Sequence, residues 1–376
     1  MSAAIINLVS KGVQDAYITG DPQVSFFRQN YKRHTNFSLR PERIDYIGTF
    51  GSNNEVVIPI KSKGDLLSYV WVEASAISAI SPNTSGFYTE GEAPTDFTLM
   101  IGGQPVCRLD SQYIQCVHNI LYNENQAQTT MALSGDQVAA NALNMAGEAD
   151  HYVIPFFFSQ DWTKCLPLAA MQYHEVEIRI KCRNGFVPNS TPRVYAMYAY
   201  LDTDERKFLV ESDHEILITQ TQFQPGSLSD TEFDLTYFNH PTKAIHLVAD
   251  NVGTTPSLDK WNEKYTFDDA TVYINGTPLF ENMTPEFHHS VVPRMHSQFL
   301  PQGLLETAPV FTWPFCLNLN KSQPTGSLNF SRLDTAKLHV RNPRTVSGGS
   351  TGVRVYAVNY NILRIKNGMA GVAFSN

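Results

Sequence analysis

The chain has 376 residues, of which 42% are hydrophobic and only 17% charged, and its formal net charge is −8. Soluble domains usually carry roughly 25% charged residues, so much of this surface must be covered by neutral polar groups or by partners, and the length suits two domains with sizeable cores. The acidic balance argues against a general nucleic-acid binder. The five cysteines (Cys107, Cys116, Cys165, Cys182, Cys316) form no CxxC, which argues against a disulfide framework or a zinc site and for reduced, buried thiols in a cytoplasmic product.

The first 21 residues lack a basic n-region and acquire acidic and polar residues early, so no signal peptide is expected. Apolar runs such as 153–158 fall far short of a membrane span. Residues 28–43 hold Arg28, Lys32, Arg33, Arg40 and Arg43 against Glu42 alone, with Phe26, Phe27, Tyr31 and Phe37 interleaved. Cations mixed with aromatics suit a partner surface or phosphate groups on nucleic acid or lipid.

Beyond this segment, runs rich in Val, Ile, Tyr, Phe and Thr are punctuated by Gly, Pro, Asn and Asp, the pattern of short strands. Strands are predicted near 36–48, 54–61, 66–76, 96–107, 151–158, 173–182 and 193–202. A second series is predicted near 215–224, 231–238, 243–250, 269–280, 309–315, 335–341 and 353–365. Within 173–180, Val176, Ile178 and Ile180 share one face while Glu175, Glu177 and Arg179 share the other, as in an antiparallel sheet wet on one side. Helical periodicity is confined to 136–146 and a turn at 202–208, where Asp202 opens a charged, helix-capping stretch. Loops are expected at 108–150, 184–192, 281–308 and 341–352, reaching the outer or intersubunit surface.

The two series resemble copies. Asp96-x-Thr98-x-x-Ile101-x-Gly103-x-Pro105 recurs as Asp269-x-Thr271-x-x-Ile274-x-Gly276-x-Pro278, and Arg193-Val-Tyr-Ala196 recurs as Arg354-Val-Tyr-Ala357. Two matches in register, each on a predicted strand, point to an internal duplication. The predicted fold is therefore all-β, two tandem eight-stranded antiparallel jelly-rolls with few short helices in loops. The division is an arm at 1–35, a first roll at 36–210 and a second at 211–376.

Chemical motifs are outweighed by structural readings. Gly348-Gly-Ser350-Thr-Gly352 matches GxSxG, but a strand follows where a nucleophile elbow needs a helix. His288, His289 and His296, with Glu286 and Arg294, could bind a metal, yet the cupin pattern is missing and an exposed or interface loop is expected. His174-Glu175 reads as sheet face rather than an acid/base pair. Asp202, Asp204 and Glu205 read as a helix start rather than a calcium loop. Sequons occur at Asn36, Asn83, Asn189, Asn275, Asn282, Asn320 and Asn329, where conventional glycosylation is not expected without a signal peptide. No dinucleotide fingerprint or phosphate loop is present. No enzyme activity, metal or cofactor is expected.

Several blocks together resemble the double jelly-roll major capsid proteins of the nucleocytoplasmic large DNA viruses. They are Gln14-Asp-x-Tyr-x-Thr-Gly-x-Pro-Gln23, Phe26-Phe-Arg28, Tyr31-Lys-Arg-His-Thr-Asn-Phe37, Gly64-Asp-Leu66, Ile101-Gly-Gly-Gln104, Leu166-Pro-Leu-Ala-Ala-Met-Gln-Tyr-His-Glu-Val176, Asn239-His-Pro-Thr-Lys243, Asn329-Phe-Ser-Arg-Leu-Asp334 and Tyr360-Asn-Ile-Leu-Arg364. The chain is shorter than many members, chiefly in the loops of the second roll. The resemblance implies a homotrimer, a pseudo-hexagonal capsomer tiling an icosahedral virion shell assembled in the host cytoplasm. It also implies that the N-terminal end faces the interior, where Arg28, Lys32, Arg33, Arg40 and Arg43 meet minor capsid proteins or an internal viral membrane. No specific nucleic-acid partner is implied. The fold alone also allows a carbohydrate-binding, lectin-like module, and a cupin or glycosidase ranks third.

Overall fold

The computed structural model describes residues 10–75, 77, 85–88, 93–122, 150–249, 265–297, 310–344 and 352–375. Residues 1–36 and 37–376 form separate compact units. Within the larger unit a first series of strands runs β1 (Phe37–Ile44), β2 (Glu55–Ile60), β3 (Leu66–Ala74), β4 (Asp96–Ile101), β5 (Gln104–Asp110), β6 (Asp150–Val153), β7 (Leu166–Pro167), β8 (Val176–Lys181) and β9 (Arg193–Leu201). The second series is β10 (His214–Gly226), β11 (Glu232–Asp234), β12 (Pro241–Ala249), β13 (Asp269–Ile274), β14 (Thr277–Met283), β15 (Val310–Pro314), β16 (Leu328–Asn329), β17 (Ala336–Arg341), β18 (Val353–Lys366) and β19 (Met369–Val372).

The first series builds two sheets, β1-β9-β3-β6, with β7 also on β3, and β2-β8-β4-β5. The second builds β10-β18-β12-β15, with β16 on β12 and β19 on β18, and β11-β17-β13-β14. Adding nine to each strand of the two main paths in the first series reproduces those of the second. The repeated sequence blocks therefore occupy the same ranks: Asp96–Ile101 and Asp269–Ile274 are β4 and β13, and the two Arg-Val-Tyr-Ala blocks open β9 and β18. Each pair of facing sheets is a jelly-roll.

Alternation fixes which face goes inward. In β8, Val176, Ile178 and Ile180 are buried while Glu177 and Arg179 are half-exposed, so one face joins the core and the other stays wet. β18 departs from this pattern, with residues 355–361 buried on both faces, because the strand lies between two apolar layers. One cluster centres on the first roll and also takes in Val248, Val310, Tyr356, Val358 and Leu363 of the second. The other, around Phe311, Trp313, Leu338 and Val355, is internal to the second roll.

Four readings of local structure are corrected. The stretches 96–107 and 269–280 are hairpins rather than single strands. Gly102-Gly103 (φ 59 and 78) and Asn275-Gly276 (φ 48 and 78) make the two-residue turns between β4 and β5 and between β13 and β14. Consecutive left-handed residues are what such turns demand, which is why the glycine recurs in the repeat. Residues 151–158 hold a strand only to Val153, followed by a 3₁₀ turn at Phe157–Ser159. Residues 111–122, expected as loop, form a helical run in which 111–118 and Leu121 are buried. Phe287–His296, expected as an exposed or interface loop, is helical with a buried face. The turn at 202–208 is the helix Thr203–Glu211, with the Asp202 carboxylate accepting the Thr203 N–H. The predicted helix at 136–146 lies outside the described residues.

Candidate assembly surfaces

A seam between the rolls is built from residues that sequence reasoning passed over. Asp110, fully buried at the end of β5, caps the next helix by accepting the Tyr113 N–H at 2.7 Å. The Tyr356 hydroxyl of β18 lies 2.9 Å from both its carboxylate oxygens, and Arg354 Nη1 lies 3.2 Å from Oδ2. Burial pushes the Asp110 carboxyl up, while the Arg354 charge and the hydrogen bonds that the carboxylate accepts from the Tyr113 N–H and the Tyr356 hydroxyl oppose that shift. Arg108 and Arg354 stand 5.1 and 5.2 Å from the Phe223 ring of β10, a geometry in which ring quadrupole and cation attract. Side chains of β10 bond the backbone of β5: Gln220 Nε2 donates to the Val106 carbonyl (2.6 Å) and Thr221 Oγ1 to the Arg108 carbonyl (2.5 Å). The signal for this seam lay in the second Arg-Val-Tyr-Ala block, whose Arg and Tyr sit on the seam face.

Histidines mark the other end of the seam. Tyr122 and His246 are 2.6 Å apart, and His246 Nδ1 is 2.9 Å from Thr312 Oγ1. Burial, with Lys243 nearby, lowers His246 to about 3, and burial holds the Tyr122 hydroxyl protonated far above its usual range. A neutral imidazole offers one donor and one acceptor, so His246 bridges the Tyr122 and Thr312 hydroxyls, with the direction of each bond set by its tautomer. The predicted histidine loop is corrected here. His288 and His289 are buried, and their Nδ1 atoms lie 3.1 Å from the carbonyls of Thr312 and Val310; His296 Nδ1 lies 2.9 Å from the Cys316 carbonyl. The first two cover β15, which is the end strand of its sheet, so these imidazoles satisfy an edge rather than ligate an ion. Among the described residues no group of three or more His, Cys, Asp or Glu is arranged to hold a metal.

His174 falls just before β8, not on its face, and its Nδ1 is tied to the Ala370 backbone (2.8 Å to O, 3.1 Å to N). The cleft beside it, about 370 Å³, is lined by Lys61, Glu175 and Glu177 among others. Asp204 and Glu205 lie in the first turn of the helix that Asp202 caps. All five cysteines are free and buried, and burial raises the Cys107, Cys165 and Cys182 thiols to about 12, 11 and 11. Asn320 is buried and donates to the Leu121 carbonyl. Ser350 and Asn83 lie outside the described residues.

Arg28, Lys32 and Arg33 sit in the N-terminal unit, where every described residue is exposed, including Phe26 (93%) and Phe27 (101%). Apolar side chains so uncovered mark a surface for something else. Arg40 and Arg43 are exposed on β1 but on opposite faces. Arg40 stands opposite Tyr198 and pairs with Glu42 at 2.8 Å, whereas Arg43 stands opposite Tyr195. The five predicted cations thus do not form one patch. Among the described residues no helix is long and apolar enough to cross a membrane.

Comparison with known proteins converges on one family. The model described as "Major capsid protein N-terminus" matches residues 25–202, and "Large eukaryotic DNA virus major capsid protein" matches 205–371. Curated major capsid proteins from Pyramimonas orientalis virus and Paramecium bursaria Chlorella virus 1 are each 29% identical, with alignments spanning all of both chains. The solved PBCV-1 virus capsid superposes with a TM-score of 0.73 at 24% identity, over 94% of this chain and 100% of that one. The Faustovirus major capsid protein gives 0.64 at 10%, over 95% of each. At these identities the structures speak to the double jelly-roll fold alone, while by the sequence matches, which run nearly end to end, the chain belongs to the major capsid proteins of large eukaryotic DNA viruses.

Proposed function

We propose that the chain is the building block of an icosahedral virion shell, working by burial and geometry rather than catalysis, and assembled in the host cytoplasm. Three copies form a pseudo-hexagonal capsomer because each chain supplies two similar rolls. The observation that carries the reading is the match of major capsid proteins over the full chain. The repeated strand order supports the geometry, with 36–210 and 211–376 as the two blocks and 1–35 as an arm. The lectin-like alternative draws no support from these relatives. Light scattering on the purified protein tests the proposal: a stable particle of three times 42.2 kDa is expected, and a strict monomer at tens of micromolar would count against it.

The arm is proposed to face minor capsid proteins or the internal membrane surface, through Arg28, Lys32 and Arg33 beside Phe26, Phe27 and Tyr31, and Arg40 and Arg43 of β1 are proposed as further partner contacts. Reversing Lys32 and Arg33 to Glu should leave trimers intact but release the inner layer from assembled particles. Particles that keep that layer unchanged would rule the role out. Arg43, on the opposite face of β1 from Arg40, would make a contact of its own.

A further inference from the structure

Asn-Gly pairs occur at 184–185, 275–276 and 367–368. Such a pair is chemically vulnerable, because no side chain on the glycine shields its backbone nitrogen from the neighbouring carboxamide. Attack of that nitrogen on the carboxamide carbon starts deamidation. What restrains the two groups therefore decides which pair reacts.

The three pairs are restrained unequally. Asn184 Oδ1 accepts from Asn53 Nδ2 at 2.9 Å and from the Ser52 hydroxyl at 3.2 Å. The Gly185 N–H, the nucleophile of that pair, donates to Ser52 Oγ at 2.9 Å. Asn275 Oδ1 accepts the Asp334 and Thr335 N–H groups, each at 3.1 Å. The Asn367 carboxamide is exposed and has no hydrogen bond among the described residues. Its turn joins β18 to β19, a four-residue strand that pairs with β18 alone among the described residues. Short strands held on one side open more readily than the body of a sheet, and the reaction needs Asn367 to rotate out of its left-handed conformation (φ 50).

We propose that Asn367 is a site of spontaneous deamidation whose conversion releases a tie between the two rolls. When the turn opens, Gly368 N attacks Asn367 Cγ. The new C–N bond closes a succinimide, the bond from Cγ to the amide nitrogen breaks, and ammonia leaves carrying the glycine's amide proton. Water then opens the ring at either carbonyl, giving aspartate or isoaspartate, and no oxidant or cofactor takes part. Isoaspartate routes the backbone through the side-chain carbon, and a two-residue hairpin turn has no room for the added atom. This turn abuts the first roll. The Tyr173 N–H donates to the Gly368 carbonyl at 3.0 Å, His174 Nδ1 lies 2.8 Å from the Ala370 carbonyl, and a Cβ at Gly368 would come within 2.6 Å of the Tyr173 ring. Distorting it pulls on those contacts, so the modification loosens the rolls with time.

The test ages the purified full chain at mildly alkaline pH and follows each pair by peptide mass spectrometry and isoaspartyl methyltransferase labelling. Asn367 should convert about tenfold faster than Asn184 or Asn275, the factor that one hydrogen bond's contribution to a barrier implies. Ser52→Ala, which frees the Gly185 N–H and one of the two bonds to Asn184, should bring Asn184 towards the rate of Asn367. Asn367→Gly keeps a residue that accepts the left-handed turn and has no carboxamide to lose. Hydrogen exchange at Tyr173 and Ala370 should quicken as the wild type ages and stay constant in Asn367→Gly. If Asn367 remains an amide, or all three pairs convert at one rate, the site is wrong. If Asn367 converts while Tyr173 and Ala370 stay protected, the tie is not what the modification releases.

Discussion

His246 and His288 are held neutral by burial, at about 3 and about 4 against 6.5 in an unfolded chain. His246 faces Tyr122, Thr312 and Lys243, the last adding to the shift; His288 faces the Thr312 carbonyl and the rings of Trp313, Phe287 and Phe280. Because the folded values lie below the unfolded one, the unfolded chain binds more protons between them. Stability is therefore full above pH 6.5 and is lost as pH falls towards 4. At pH 5 each imidazole withdraws about 2 kcal/mol. Urea titrations at pH 7 and 5 should show this loss, and His288→Gln, which cannot titrate, should shrink it by roughly half; an unchanged pH slope would show that His288 is not buried as described. Asp110 makes the opposite kind of prediction. Asp110→Asn leaves Arg354 facing a neutral amide in a dry seam, at a cost of about 3–5 kcal/mol. Tyr356→Phe removes only its hydroxyl contacts and should cost about 1–3 kcal/mol. Adding the second change to the first should cost less than the sum, since both break one network. Strict additivity in denaturant melts would mean that the network is not shared.

At the scale of elements, the hairpin turns separate backbone strain from packing. A Cβ at Gly276 (φ 78) meets nothing within 4 Å, so Gly276→Ala should cost only the left-handed conformation, about 1–2 kcal/mol. A Cβ at Gly102 (φ 59) comes within 2.7 Å of the His174 ring, which is itself tied to Ala370. Gly102→Ala should therefore lower the melting temperature by clearly more; equal shifts would mean that His174 simply moves aside. These turns also show where the sequence could be read and where it could not. Period-two alternation located most strands within a few residues, and the duplicated blocks foretold which strands would be equivalent. The hairpins at 102–103 and 275–276 were missed although Gly-Gly and Asn-Gly signal them, because the flanking β-branched residues read as one continuous strand. The helical runs at 111–122 and 287–296 were missed for a different reason. The first does carry a local start signal in its N-cap Asp110, but it is tied across the seam through Tyr122, and the other spends His288 and His289 on the carbonyls of an edge strand. The basic segment was legible as composition, but its division over two faces of β1 depends on register, which composition does not encode.

At the scale of the whole molecule, the seam decides whether the two rolls behave as one body. Tyr356, Val358, Val248 and Val310 are second-roll residues, yet they pack into the cluster built on the first roll. Parting the rolls would expose those four side chains together with Cys107, Leu121 and Tyr122, and would strand Asp110 and Arg354 without each other. Each large apolar side chain uncovered costs about 1.5–3 kcal/mol, so the penalty is comparable with the 5–15 kcal/mol by which a domain is usually stable. Neither roll should therefore unfold while the other persists. Calorimetry of the wild-type chain should give one transition whose calorimetric and van't Hoff enthalpies agree, despite 376 residues and two sandwich layers that each resemble a domain. Asp110→Ala combined with Tyr356→Ala removes the polar tie and part of the apolar seam at once. In that variant the single transition should split in two, the second-roll step reported by the buried Trp313. Two transitions already present in the wild type would mean that the rolls are only tethered, and that the rigid two-block geometry a pseudo-hexagonal capsomer requires must come from neighbouring copies rather than from the chain itself.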